Sequence, residues 1–127
     1  MNICDISEEI GEEVLRGVIA HRVDDRCCGY SFLFDGHTVC FSVNSDEDSI
    51  EIELRKRLAS KDLTCDRESD HEWRCFIGTR GLCVWEAYNH KGYRDGILLG
   101  SEYWIPSKML YVIVSEMRVF EIIAERN

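Results

Sequence analysis

At 127 residues and 45% apolar content, the chain has the material for one domain with a real core, and its composition excludes disorder. Its net charge of −9, from 24 acids against 15 bases, argues against nucleic acid or an anionic membrane as partner, since both require a positive footprint. No apolar run approaches the ~20 residues that span a bilayer, and Met1-Asn2-Ile3-Cys4-Asp5 has neither the basic nor the apolar part of a secretory leader, so a cytoplasmic location is expected.

The seven cysteines are odd in number, include the vicinal Cys27-Cys28 and accompany no leader, so a disulfide framework is not expected. Cys40, Cys75 and Cys83 sit in apolar, strand-like runs and are expected to be reduced and structural.

Residues 5–13 carry Asp5, Glu8, Glu9, Glu12 and Glu13 without a base. Ser7 as a cap and acids in a first turn suit a short helix, which Gly11 limits to one or two turns. Val14, Leu15, Val18, Ile19, Ala20 and Val23 fit helix or strand, and the β-branched content with Gly17 favours a strand over about 14–23.

Asp35-Gly36 between two alternating apolar runs is a strong hairpin signal. A two-residue loop pairs Phe34 with His37, Phe32 with Val39 and Tyr30 with Phe41. One face then carries Tyr30, Phe32, Phe34, Val39, Phe41 and Val43 and is buried. The other carries Ser31, Thr38 and Ser42 and is wet. After the polar turn 44–48, Ile50, Ile52 and Leu54 alternate with Glu51, Glu53 and Arg55, the pattern of a half-buried strand. Residues 56–72 have little periodicity and read as a long loop or a short helix. Trp73, Phe76 and Ile77 return the chain to the core.

Residues 83–99 read as two strands folded about Asn89-His90-Lys91-Gly92, with Trp85, Tyr88 and Tyr93 beside the turn. Pro106, the only proline, marks a break. Met109 to Val114 is an unbroken apolar run, fit for a strand buried on both faces, and Ser115-Glu116-Met117 turns it into a last strand, Arg118 to Ala124. The fold expected is mainly β, with α+β as the alternative: a curved antiparallel sheet of about six to eight strands, as half-barrel or sandwich, after a short N-terminal helix. It forms one domain, 1–127, with a core over about 14–124.

Nothing here matches a phosphate-binding loop, since Gly78-Thr79-Arg80-Gly81 lacks the glycine spacing and the lysine. Cys65, His71, Cys75 and Cys83 sketch a zinc site, but not in paired Cys-x-x-Cys spacing, and no metal or cofactor is expected. A thiol paired with His21, His37 or His90 would be set by the fold, and no enzyme activity is expected from it. Asp46, Glu47, Asp48, Glu51 and Glu53 put five carboxylates into eight residues, with Glu68, Asp70 and Glu72 as an extension. They are either a solvated edge that discourages strand pairing or a patch that docks on lysines and arginines of a partner. Trp85, Asn89, Tyr93 and Asp95 are either turn and core residues or a second binding surface at a sheet end.

The pattern Trp85-x-x-x-Asn89-x-x-Gly92-Tyr93-x-Asp95-Gly96, with Ser45 to Leu54 before it and the pair Tyr111 to Ile123 after it, resembles a family of small bacterial single-domain proteins. Some of these are similar to immunity proteins of toxin systems such as contact-dependent growth inhibition. The likeness covers roughly residues 14–124. His90-Lys91 stands where more amide-like residues are expected. The resemblance implies a compact β-rich domain without a catalytic motif. Joined to the charge, it leads to the expectation of an immunity protein that occludes a cognate toxin, a basic nuclease-type domain, through Asp46, Glu47, Asp48, Glu51 and Glu53 first. A small-ligand-binding domain cupped around Trp85 and Tyr93 is the alternative.

Overall fold

Alternation decides most of the architecture, and the computed structural model, which describes residues 3–56, 72–101 and 105–122, shows how. Helix α1 (Ile3–Ile10) is followed by strands β1 (Leu15–Val23), β2 (Arg26–Phe34), β3 (His37–Asn44) and β4 (Ser49–Lys56), then β5 (Cys83–Tyr88), β6 (Arg94–Gly100), β7 (Lys108–Ile113) and β8 (Glu116–Glu121). The strands form two four-stranded antiparallel sheets, β1-β2-β3-β4 and β5-β6-β7-β8, each in sequence order and neither closed. The expected six-to-eight-stranded, mainly β fold with one short N-terminal helix is thus present, as two facing sheets.

Helix α1 places Ile6 and Ile10, four residues apart, on the core. Gly11 ends it at φ +55, a left-handed value glycine takes without strain, and its N–H donates to Ser7 O at 2.9 Å. Ser7 therefore lies inside the helix and does not cap it. Asp5 is the first-turn acid, and the N–H of Ile3 donates to Glu86 Oε1 at 3.0 Å.

The β2–β3 register is the one read from Asp35-Gly36: Phe32 faces Val39 and Tyr30 faces Phe41. Tyr30, Phe32, Phe34, Val39 and Phe41 are buried, and Val43 is half-buried. The opposite face is less wet than alternation predicts, because Ser31 is buried. There His21 Nε2 lies 2.5 Å from Ser31 Oγ, which is 3.2 Å from Cys40 Sγ. Gly29 is required in β2: a Cβ would stand 2.4 Å from Phe41 O. On β4, Ile50 and Ile52 enter the core while Glu51, Glu53 and Arg55 stay exposed.

Between the sheets, Ile97, Leu99, Leu110, Val112 and Met117 of the second meet the aromatic face of the first. Trp73, with no exposed surface, fills the middle of this core. Its ring centroid lies 5.0 Å from Phe32, 5.4 Å from Tyr30 and 5.9 Å from Phe76, with edge-on packing against the first two.

Three expectations are corrected. Strand β7 is not buried on both faces: Lys108, Leu110 and Val112 are buried, whereas Met109 and Tyr111 are half-buried and Ile113 exposed. Its second face has no sheet packed on it among the described residues. The following turn is Val114-Ser115, and β8 begins at Glu116, since Met117 pairs with Val112 and belongs to the core. Finally, Cys75 is exposed and Cys40 and Cys83 are half-buried, while Cys27 is the buried thiol. An apolar run does not fix which of its residues face inward.

One contact locks the two sheets at a hairpin end. Asp48 Oδ1 accepts from Ser115 N at 2.8 Å and from Ser115 Oγ at 3.1 Å, joining the β3–β4 turn to the β7–β8 turn. Asp48→Ala should lower stability by about 1–2 kcal/mol, the value of two hydrogen bonds at a partly exposed site. Chemical denaturation of the variant measures it, and an unchanged midpoint would show that the two turns are not coupled.

Candidate functional site

Two strand ends define where a partner or ligand can be met. At one end lie the β1–β2, β3–β4 and β7–β8 turns. At the other lie the β2–β3 turn, the C-terminus of α1 and residues 78–82.

At the first end the acidic stretch is brought to the surface but is not uniform. Asp46, Glu47 and Asp48 are exposed in the β3–β4 turn, and Glu51 and Glu53 are exposed on β4, an edge strand. Asp48 is engaged with Ser115. Glu47 accepts from Ser49 Oγ at 3.2 Å, and Glu51 accepts from Asn44 Nδ2 at 3.1 Å. Glu53 takes both its oxygens to Arg55, at 2.9 Å each, and that guanidinium holds its carboxyl below the usual carboxylate range. Asp46, Glu47 and Glu51 thus form the part of the ridge least compensated by cations. Glu68 and Asp70 lie outside the described residues. Glu72 is exposed beside Tyr30, whose hydroxyl is pushed well above its ordinary range, first by burial, then by Cys27 and by Glu72 itself.

The sequence reading missed that two further hairpins join this end. Asp24 and Asp25 occupy left-handed positions, φ 50 and 64, in the β1–β2 turn, which Asp tolerates better than most residues. Asp-Asp between Val23 and Arg26 was a readable turn signal. A groove of about 470 Å³ lies there, with Val23, Asp24, Arg26, Val43, Ser45 and Ser115 among its walls, so the three turns are neighbours.

The residues of the aromatic hairpin are mostly structural. Asn89 Oδ1 accepts from Lys91 N at 2.9 Å and Tyr93 N at 3.2 Å, closing the turn in which Gly92 takes φ +86. Asn89 Nδ2 donates to the buried Asp95 at 3.4 Å. Tyr93 remains exposed at the tip. Trp85 is not beside it but pairs with Leu98 further along the ladder. Unread in the sequence was Glu86, which binds Ile3 N, the Tyr88 hydroxyl and, at 3.6 Å, Arg94 Nη1. The Tyr88 hydroxyl is raised above its ordinary range chiefly by that hydrogen bond. Arg94 Nε also donates to Ile50 O at 3.0 Å, tying the sheets together.

At the second end, an open cleft of about 570 Å³ lies between α1 and β5. Ile6, Ile10, Phe34, Leu82 and Val84 supply apolar wall, Trp85 lines it, and Glu12 and Arg80 bring charge. Nearby, Glu13 accepts from Gly36 N at 2.5 Å and lies 2.6 Å from His37 Nδ1, so His37 is engaged in holding the β2–β3 turn.

Of the histidines considered as thiol partners, one approaches a cysteine through a hydroxyl among the described residues. His21 reaches Cys40 through Ser31. His90 is exposed at the hairpin tip. Of the sketched zinc ligands, Cys65 and His71 lie outside the described residues, and no group of three or more His, Cys, Asp or Glu able to hold a metal occurs among the described ones. Among those residues no helix is long and apolar enough to cross a membrane.

Neither a curated protein nor a solved structure matches the chain. A family match nonetheless spans nearly all of it, residues 1–126, and on that extent the chain belongs to the family of unknown function DUF6334.

Proposed function

We propose that this domain is an immunity-type inhibitor, which binds one cognate toxin domain with a basic, nuclease-type surface and neutralises it by occlusion, in the cytoplasm and without a cofactor or chemistry of its own. The observation that carries this reading is the exposed ridge of Asp46, Glu47 and Glu51 on a turn and an edge strand of a chain of net charge −9. Carboxylates so placed match the phosphate-binding surface of a nuclease in sign, steer its approach and disfavour anionic competitors. Glu53 is a weaker contributor, since Arg55 neutralises it, and Asp48 serves the turn.

The test is to express the gene beside its neighbouring reading frames and recover tagged protein. A basic domain held in 1:1 complex, with its toxicity suppressed, is the expected result. Clean monomer from every such pairing would overturn the reading. The cleft beside Trp85 would then favour the second one, a small-ligand-binding domain, because its size and apolar wall suit a small molecule.

A further inference from the structure

The turn between β7 and β8 breaks a local rule. Val114 sits at φ 50 with 74% of its surface exposed, followed by Ser115 at φ 59. Asn, Asp or Gly suits such a two-residue turn, whereas a β-branched residue in the left-handed region is strained. The fold gains almost no burial from this side chain. The turn is nevertheless held in place by both hydrogen bonds from Ser115 to Asp48. Strain without internal return points outward.

Val114 is not alone. Val23 is 62% exposed, and it lines the groove together with Val43 and with Ser115, the residue that follows Val114. Asp24, Asp25, Asp46 and Glu47 stand exposed in the turns around it, against Arg26 in its wall. An apolar centre with a charged rim is the anatomy of a protein interface. The excess of carboxylates selects the occupant. A second copy of this chain would bring the same acids to the contact, and an anionic lipid surface would be repelled.

We infer that the groove where the β1–β2, β3–β4 and β7–β8 turns meet is a docking surface for a basic protein segment that presents an apolar side chain between lysines or arginines. This rests on the inhibitor reading above and adds to it the place and the apolar anchor. Val23 and Val43 line the seat of the apolar side chain, Val114 stands exposed beside Ser115 at its rim, and the acids meet its flanking cations.

The experiment is an NMR titration of the ¹⁵N-labelled chain with two peptides of equal length and charge, one alternating Lys with Leu, the other Lys with Ser. The Lys/Leu peptide should shift amides of residues 23–25, 43–48 and 113–115 saturably and bind about tenfold more tightly, as expected for one anchored apolar contact. Val114→Asn should raise the thermal midpoint, by relieving the turn, while abolishing that preference. A lower midpoint with the preference intact would make Val114 a structural residue and overturn the inference. Equal binding of both peptides, or shifts confined to Glu51–Arg55, would overturn the groove and leave the basic-partner reading standing. Binding of neither would count against both.

Discussion

Trp73→Ala should lower the stability of this domain by about 3–5 kcal/mol, the cost of removing a large buried aromatic and leaving its cavity. Trp73 has no exposed surface and packs on Tyr30, Phe32 and Phe76, so it is the piece that joins the aromatic face of the first sheet to the centre of the core. Set against a total of about 5–15 kcal/mol for an ordinary domain, the alanine variant loses a large share of its folded population margin. Trp73→Phe should lose much less. It keeps an aromatic ring near Phe32 and removes an indole N–H that has no acceptor among the described residues. Urea denaturation followed by far-ultraviolet circular dichroism reads both. A loss below about 1 kcal/mol for the alanine variant would contradict full burial of this side chain.

Charge reversal at Asp46, Glu47 and Glu51, each to Lys, should slow association with the basic partner by about 10–100-fold at low ionic strength, with a smaller effect on dissociation. The three side chains are exposed on one turn and the strand it begins, and none is neutralised by an arginine in the way Glu53 is. Their Coulomb field therefore extends to solvent, where it is screened over about 8 Å at physiological salt. Association of the parent protein should fall steeply as salt is added, and that of the triple variant should depend on salt far less. Stopped-flow mixing at two ionic strengths measures this. Identical rates for parent and variant would place the interface elsewhere. Reversal of Asp48 is left out of the set because it would disturb the Ser115 turn and confuse folding with binding.

Much of the fold was legible because it is local. Asp35-Gly36 set the β2–β3 register residue by residue, since a two-residue loop leaves only one way to match two alternating faces. The alternation of Ile50, Ile52 and Leu54 with Glu51, Glu53 and Arg55 likewise told which side of β4 meets solvent. Where the pattern lost its period, so did the reading. The run from Met109 to Val114 is apolar throughout, and nothing in it distinguishes the covered face from the open one. The cysteines failed for the same reason: Cys40 and Cys83 lie on faces of which the sequence says only that they are strand.

The candidate site was legible in part. Charge, its clustering and its exposure on β4 are properties of the sequence and its period-2 geometry. Which carboxylates stay available is a property of neighbours distant in sequence: Asp48 is engaged by Ser115, 67 positions away. Trp85 and Tyr93 looked like one surface because they flank one turn, yet the ladder sets them apart, with Asn89 and Asp95 closing the turn between.

By itself, then, the sequence determined an acidic chain of strands with its hairpins and wet faces, because composition and alternation act within a few residues. Only the tertiary structure decided that Val23, Asp24, Asp46 and Val114 share one end of the molecule. Three hairpins from two sheets must pack before that end exists, and the contacts that bring them together join residues no local pattern connects.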